Sequence, residues 1–172
     1  MYKLTVLFII LAFIHLNGLT QDIYDACRKG NVALIKQLSK INPDTVNSPN
    51  KSGYTPLIIA GYRNQLDAVK MLLDLGANVN ANSEDGTVLT AACYKSNTAL
   101  VKLLLEYHAD VQVKNNAGTT PLMFAIMAKN EEIVKLLLVN KADIHAVDNA
   151  NKSVKEYASD CENLVIKQLI IK

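Results

Sequence analysis

The chain of 172 residues is notable first for what it has little of. It has seven glycines and four prolines in all, with no low-complexity stretch and no Gly/Ser-rich or Pro-rich segment. Nothing marks a flexible linker, and the length suits one ordinary domain. Its net charge is only +2, which gives no support for nucleic-acid binding, a function that calls for a strongly basic face. Its apolar stretch from Leu4 to Leu16 covers 13 residues, interrupted by Thr5 and His15, whereas a bilayer span needs ~20. It has three cysteines: Cys27, Cys93 and Cys161. His-Glu-x-x-His, a phosphate-cradling glycine loop and Gly-x-Ser-x-Gly are all missing, so the common catalytic signatures are absent. What it does have is a 50% hydrophobic, 20% charged composition, enough to build a core.

Residues 1–20 differ in character from the rest. Lys3 precedes the short apolar run, and Asn17-Gly18-Leu19-Thr20 leads into Gln21. A basic start, an apolar core and small residues ahead of a polar segment form the pattern of a secretory signal peptide. Cleavage is expected after Thr20, with the mature chain starting at Gln21. On this reading the protein is exported, to the periplasm of a Gram-negative cell or otherwise to the medium, with no membrane attachment after cleavage.

Behind that segment the chain repeats itself. Tyr54-Thr55-Pro56-Leu57 recurs as Thr119-Thr120-Pro121-Leu122, and aligning the copies on one alanine gives Ala26, Ala60, Ala92, Ala125 and Ala158, spaced 34, 32, 33 and 33. In the second copy Thr55 and Pro56 suit the start of a short helix, one as cap and the other as first helical residue. Asn64 breaks that helix. A second helix is expected from about Gln65 to Leu75, with Leu66, Val69, Leu72 and Leu73 on one face, and Gly76 ends it in a left-handed conformation. Asn42, His108 and Lys141 stand at the matching position in other copies, where Lys141 should carry strain. The third copy lacks the proline and is one residue shorter around Asp85-Gly86, so its turn should differ in shape.

A Thr-Pro-Leu signature on a period near 33 resembles the ankyrin repeat family. The resemblance covers 21–172 and implies an all-α repeat solenoid of stacked helix-turn-helix units with short extended turns. About five copies are expected (21–48, 49–81, 82–113, 114–146 and 147–172), the first and last being atypical caps. In the first, Asp22 is expected to cap the opening helix. In the last, Lys155 replaces the signature leucine, and the final helix should run from Leu164 to Ile171.

On this architecture the cysteines are two copies apart, about 20 Å at ~8–10 Å per stacked helix. A disulfide needs Cα atoms within ~7 Å, so three free, buried thiols are expected. His108 and His145 fall on turns of adjacent copies without the further ligands of a metal site. Glu131-Glu132 open a helix, where carboxylates suit the dipole. No cofactor and no metal is expected, and the chain is not read as an enzyme, since thin stacked repeats seldom make a pocket of convergent polar groups.

The family resemblance implies that the end of each first helix and the turn after it face the concave side. Those positions are Arg28-Lys29, Tyr62-Arg63, Tyr94-Lys95, Met127-Ala128 and Asp160-Cys161. They form a stripe that is basic and aromatic, then apolar, then acidic; tyrosine and arginine are types that dominate binding hot spots. Turn tips add Lys51, Ser52, Tyr54, Glu84, Asp85, Asn116 and Thr119. The competing reading has Tyr62 and Tyr94 merely packing between neighbouring helices. Lys36, Lys70, Lys102 and Lys135 recur on the outer face as solvation. The resulting expectation is a monomeric, non-catalytic module that binds one protein on its concave face. The same surface would serve an immunity protein that neutralises a toxin, or a secreted effector that engages host proteins.

Overall fold

The structure is a computed structural model and describes residues 22–171. The expected signal peptide, its cleavage point and Gln21 lie outside the described residues.

Ten α-helices follow one another in antiparallel pairs among the described residues. The first helices of the pairs are α1 (Ile23–Lys29), α3 (Pro56–Tyr62), α5 (Val88–Tyr94), α7 (Pro121–Met127) and α9 (Val154–Asp160). The second are α2 (Val32–Ile41), α4 (Leu66–Asp74), α6 (Thr98–Glu106), α8 (Glu131–Val139) and α10 (Leu164–Ile170). First helices pack on first helices and second on second, giving two layers of an all-α solenoid.

Every first helix is seven residues long and is capped by a side-chain oxygen, from Asp22, Thr55, Thr87, Thr120 and Ser153 in turn. Such a cap is worth ~1 kcal/mol, a large share of what a two-turn helix can gather for itself. Asn31, Asn97, Asn130 and Asn163 cap the second helices in the same way. Gln65 at the start of α4 makes no such bond. Its longer side chain instead reaches across to the backbone oxygen of Arg28, 3.4 Å away.

The aligned alanines lie where the first helices meet. Ala26, Ala60, Ala92, Ala125 and Ala158 are all 0–1% exposed, because any larger side chain would push the stacked helices apart. Gly61 marks a close approach of two first helices: a Cβ there would come within 2.3 Å of Val88 Cγ1. Leucines seal the space between layers, with Leu57, Leu89 and Leu122 from first helices and Leu72, Leu104 and Leu137 from second helices all buried. At the end of the array Lys155 takes the place of the first-helix leucine and is exposed.

The turns are built by side chains. Asn50 Oδ1 accepts from the N–H groups of Ser52 and Tyr54, Asn115 Oδ1 from Ala117 and Thr119, and Asp148 Oδ1 from Ala150 and Lys152. In each, the first residue's N–H closes on the carbonyl four residues on. The third copy has Ser83 at this place, too short to cage two N–H groups. Its turn is one residue tighter, an antiparallel pair of β1 (Asn82–Ser83) and β2 (Gly86–Thr87) around Glu84-Asp85. This is the altered shape expected from the missing residue.

Left-handed residues end the second helices at Gly76, His108 and Lys141, with φ of 86°, 60° and 66°. Asn42 does not join them. Its φ is −142°, because Pro43 follows and drives the preceding residue into the extended region. There it caps a short 3-10 helix, Pro43–Val46, by accepting from the N–H of Asp44. All three cysteines are free and buried. Burial pushes the Cys27 thiol up to about 12 and raises that of Cys93 as well.

Candidate functional site

The first-helix ends and the turn tips line one continuous face. Between them lies a cleft of about 260 Å³ walled by Arg28, Asn50, Tyr54, Ile59, Tyr62, Arg63 and Asp85. A smaller hollow of about 120 Å³ continues it along the stack, lined by Tyr62, Asp85, Thr90, Ala91, Tyr94, Lys95 and Phe124. Tyr62 and Asp85 border both, so the two form one groove.

The stripe residues divide by what already holds them. Tyr62 is half-buried, with its ring edge-on to Tyr54 at 6.3 Å between centroids. Lys95 Nζ donates to the Tyr62 carbonyl at 2.8 Å and lies 5.1 Å from the centre of the same ring. These two are partly committed to joining their helix pairs. Burial pushes the Tyr62 hydroxyl upward, and the nearby Asp85 charge adds to it. Arg28 and Lys29 both reach Asp25, at 3.3 Å and 2.8 Å. The Lys29 hydrogen bond is the main reason the Asp25 carboxyl sits below its ordinary range.

The others are open. Tyr94 is 65% exposed and Met127 44% exposed. Tyr94 stands edge-on to Phe124 with centroids 5.8 Å apart, so one side of it is supported and the rest meets solvent. Arg63 is exposed and makes no ion pair among the described residues.

The turn tips are less uniform. Lys51, Glu84, Asp85 and Asn116 are exposed. Tyr54 donates its hydroxyl to Asp85 Oδ2 at 2.6 Å, tying the second copy's turn to the third's, and that bond is the main cause of its raised pKa. Thr119 is the correction: it is 7% exposed, folded under its turn with its N–H on Asn115 Oδ1, and offers nothing to a partner.

Asn50, Ile59, Thr90, Ala91 and Phe124 also line the groove and were not singled out in the sequence. Ile59 and Phe124 each stand immediately before an aligned alanine, a position that faces along the groove while its neighbour is buried. Their periodic placement was the available signal. On the outer side, Lys36, Lys70, Lys102 and Lys135 are all exposed, as expected; Lys102 pairs with Glu132 at 2.7 Å.

No group of three or more His, Cys, Asp or Glu side chains converges as metal ligands would among the described residues. Nor is any described helix long and apolar enough to cross a membrane.

A family model of ankyrin repeats in three copies matches residues 17–83 and 77–148. The chain belongs to the ankyrin repeat family. Its ankyrin repeats are similar to those of protein phosphatase 1 regulatory subunit 27 of Homo sapiens, at 36% identity over 76 residues, which is 44% of this chain and 48% of that protein. They also resemble ankyrin repeat domain-containing protein 49 of Drosophila melanogaster, at 38% over 53 residues, 31% of this chain and 25% of the other. Ankyrin repeat and SAM domain-containing protein 6 of Rattus norvegicus is 37% identical over 59 residues, 34% of this chain and 7% of the other. The chain thus spans less than half the length of these relatives. Ankyrin repeats are in general modules for protein–protein interaction, and the groove has the form such a role needs: extended, shallow and lined by mixed side chains.

Proposed function

We propose that this protein is an exported, monomeric binding module that grips one protein partner along its concave groove and performs no chemistry of its own. The observation that carries the reading is the exposure of Tyr94 and Met127 at the first-helix ends, in series with Arg63, which makes no ion pair among the described residues. A large aromatic and a thioether left in water, on a face where the neighbouring tyrosine is packed, cost solvation that contact with a partner would recover. Export rests on the composition of residues 1–20. It would place the module in the periplasm of a Gram-negative cell, or outside the cell otherwise.

The test uses Arg63, Tyr94 and Met127 rather than Tyr62 and Lys95, whose substitution would also loosen helix packing. The purified chain and an Arg63→Glu/Tyr94→Ala/Met127→Ala variant are used side by side to capture proteins from the native envelope fraction and medium. One protein held by the parent chain and released by the variant, with both chains equally helical, is the expected result. Identical catches would remove the groove as the binding face.

A further inference from the structure

The groove is not chemically even, and its unevenness describes what fits it. At its first end Arg28, Lys29, Arg63 and Lys95 have only the Asp25 carboxylate as an ion-pair partner among the described residues. At its far end the charges are matched: Lys129 pairs with Glu162 at 2.8 Å and Lys152 with Asp160 at 2.6 Å. Unspent positive charge therefore sits over α1, α3 and the start of the hollow beside them. Asp85 also borders the cleft and carries its charge there while one of its oxygens receives the Tyr54 hydroxyl, so Arg28, Lys29, Arg63 and Lys95 outnumber the carboxylates of Asp25 and Asp85 by two. The other Asp85 oxygen is suited to accept a backbone N–H from an extended chain lying in the groove.

Beyond this region the lining turns apolar. Tyr94 and Phe124 form an edge-to-face pair in the hollow, and Met127, outside the hollow at the end of α7, adds an exposed, flexible thioether of the kind that moulds to varied apolar groups. The carboxylate subsite lies between the first helices of the first two pairs, at Arg28 and Arg63, and the apolar subsite between those of the next two, at Tyr94 and Phe124. Neighbouring stacked helices are ~10 Å apart, so the subsites are two steps or about 20 Å apart, and an extended chain advancing ~3.3 Å per residue covers that in about six residues.

Deepening the binding reading above, on which it rests, we propose that the partner presents an extended segment bearing an acidic side chain about six residues from a large apolar one. The carboxylate lies in the cleft between Arg28 and Arg63, and the apolar group lies against Tyr94, Phe124 and Met127. The segment's acidic end therefore points toward α1.

The test is fluorescence anisotropy with three labelled synthetic peptides on the purified chain. One carries a pair of glutamates about six residues ahead of a Leu-Phe pair. The second has lysines in place of the glutamates, and the third has alanines in place of Leu-Phe. The first should bind at least about tenfold more tightly than the second, with the advantage shrinking as salt is raised. Arg28→Glu/Arg63→Glu should move the preference to the lysine peptide. Tyr94→Ala/Met127→Ala should erase the advantage of Leu-Phe over alanine while leaving the charge preference. Circular dichroism confirms that each variant remains folded. Equal binding of all three peptides, a charge preference that survives the arginine reversal, or no binding at all overturns the proposal. If that happens while capture of the natural partner still requires Tyr94 and Met127, the binding reading stands and only the segment's chemistry is wrong. If capture ignores both residues, the binding reading falls as well.

Discussion

At the scale of single residues the array depends on backbone conformations that few side chains favour. Asn64, Ser96 and Lys129 close the first helices, and His108 and Lys141 the second, all at φ between 55° and 66°. Glycine serves at Gly30 and Gly76. A side chain in this region costs ~1–2 kcal/mol, partly offset because glycine is the more flexible residue in the unfolded chain. Lys141→Gly should therefore raise stability by about 0.5–1 kcal/mol. Gly76→Ala should lower it by about 1 kcal/mol through φ alone, since no atom lies within 4 Å of the added Cβ. Urea denaturation checks both, and equal midpoints for parent and variants would show that these turns are not strained. The lysine's position could be seen in the sequence because the period placed it opposite Gly76. Asn42, at the same register, behaves otherwise because one neighbour, Pro43, outweighs the period.

At the scale of elements, each two-turn helix is held by its cap and its neighbours rather than by its own propensity. The last pair shows how far this goes. Glu156 Oε2 receives both the hydroxyl and the N–H of Ser153 at 2.7 Å, and these bonds hold its carboxyl below the usual 4.5. Asp148 is held below 3.8 first by the Tyr157 hydroxyl and then by the Lys152 N–H. In the unfolded chain both groups return to their ordinary values. Folding thus favours the ionised forms, and their stabilisation is complete above about pH 5 and is lost as the pH falls through the ordinary values toward the folded ones. The Asp148→Asn/Glu156→Gln variant should be less stable than the parent at pH 7 and lose less stability on acidification. Melting temperatures followed from neutral to acidic pH should converge. Parallel curves would mean that these carboxylates do not support α9.

Helix order, caps and breaks were readable in the sequence because they rest on local chemistry: Thr-Pro at a start, a left-handed residue at an end. Even the tighter turn at Glu84-Asp85 followed from a one-residue deficit. Which side chains remain free was less readable. Lys95 lies on Tyr62, and Thr119 lies under its own turn. Both outcomes depend on contacts or folds that the period places near one another without saying which atom meets which.

At the scale of the whole molecule the stack turns a repeated sequence into a directional surface. The short first helices and the turns form its groove, and the longer α2, α4, α6 and α8 carry the lysines that keep the outer face in water. Stability in such an array is close to a sum of neighbour contacts. A substitution on the groove rim can then be judged for binding without dismantling the fold. The measurement that tests the account most directly is hydrogen–deuterium exchange of the chain with and without its captured partner. Binding along the groove predicts new protection over 59–64, 91–96 and 124–128 with little change in the outer helices. Protection concentrated on α4, α6 and α8, with the first-helix ends unchanged, would contradict it.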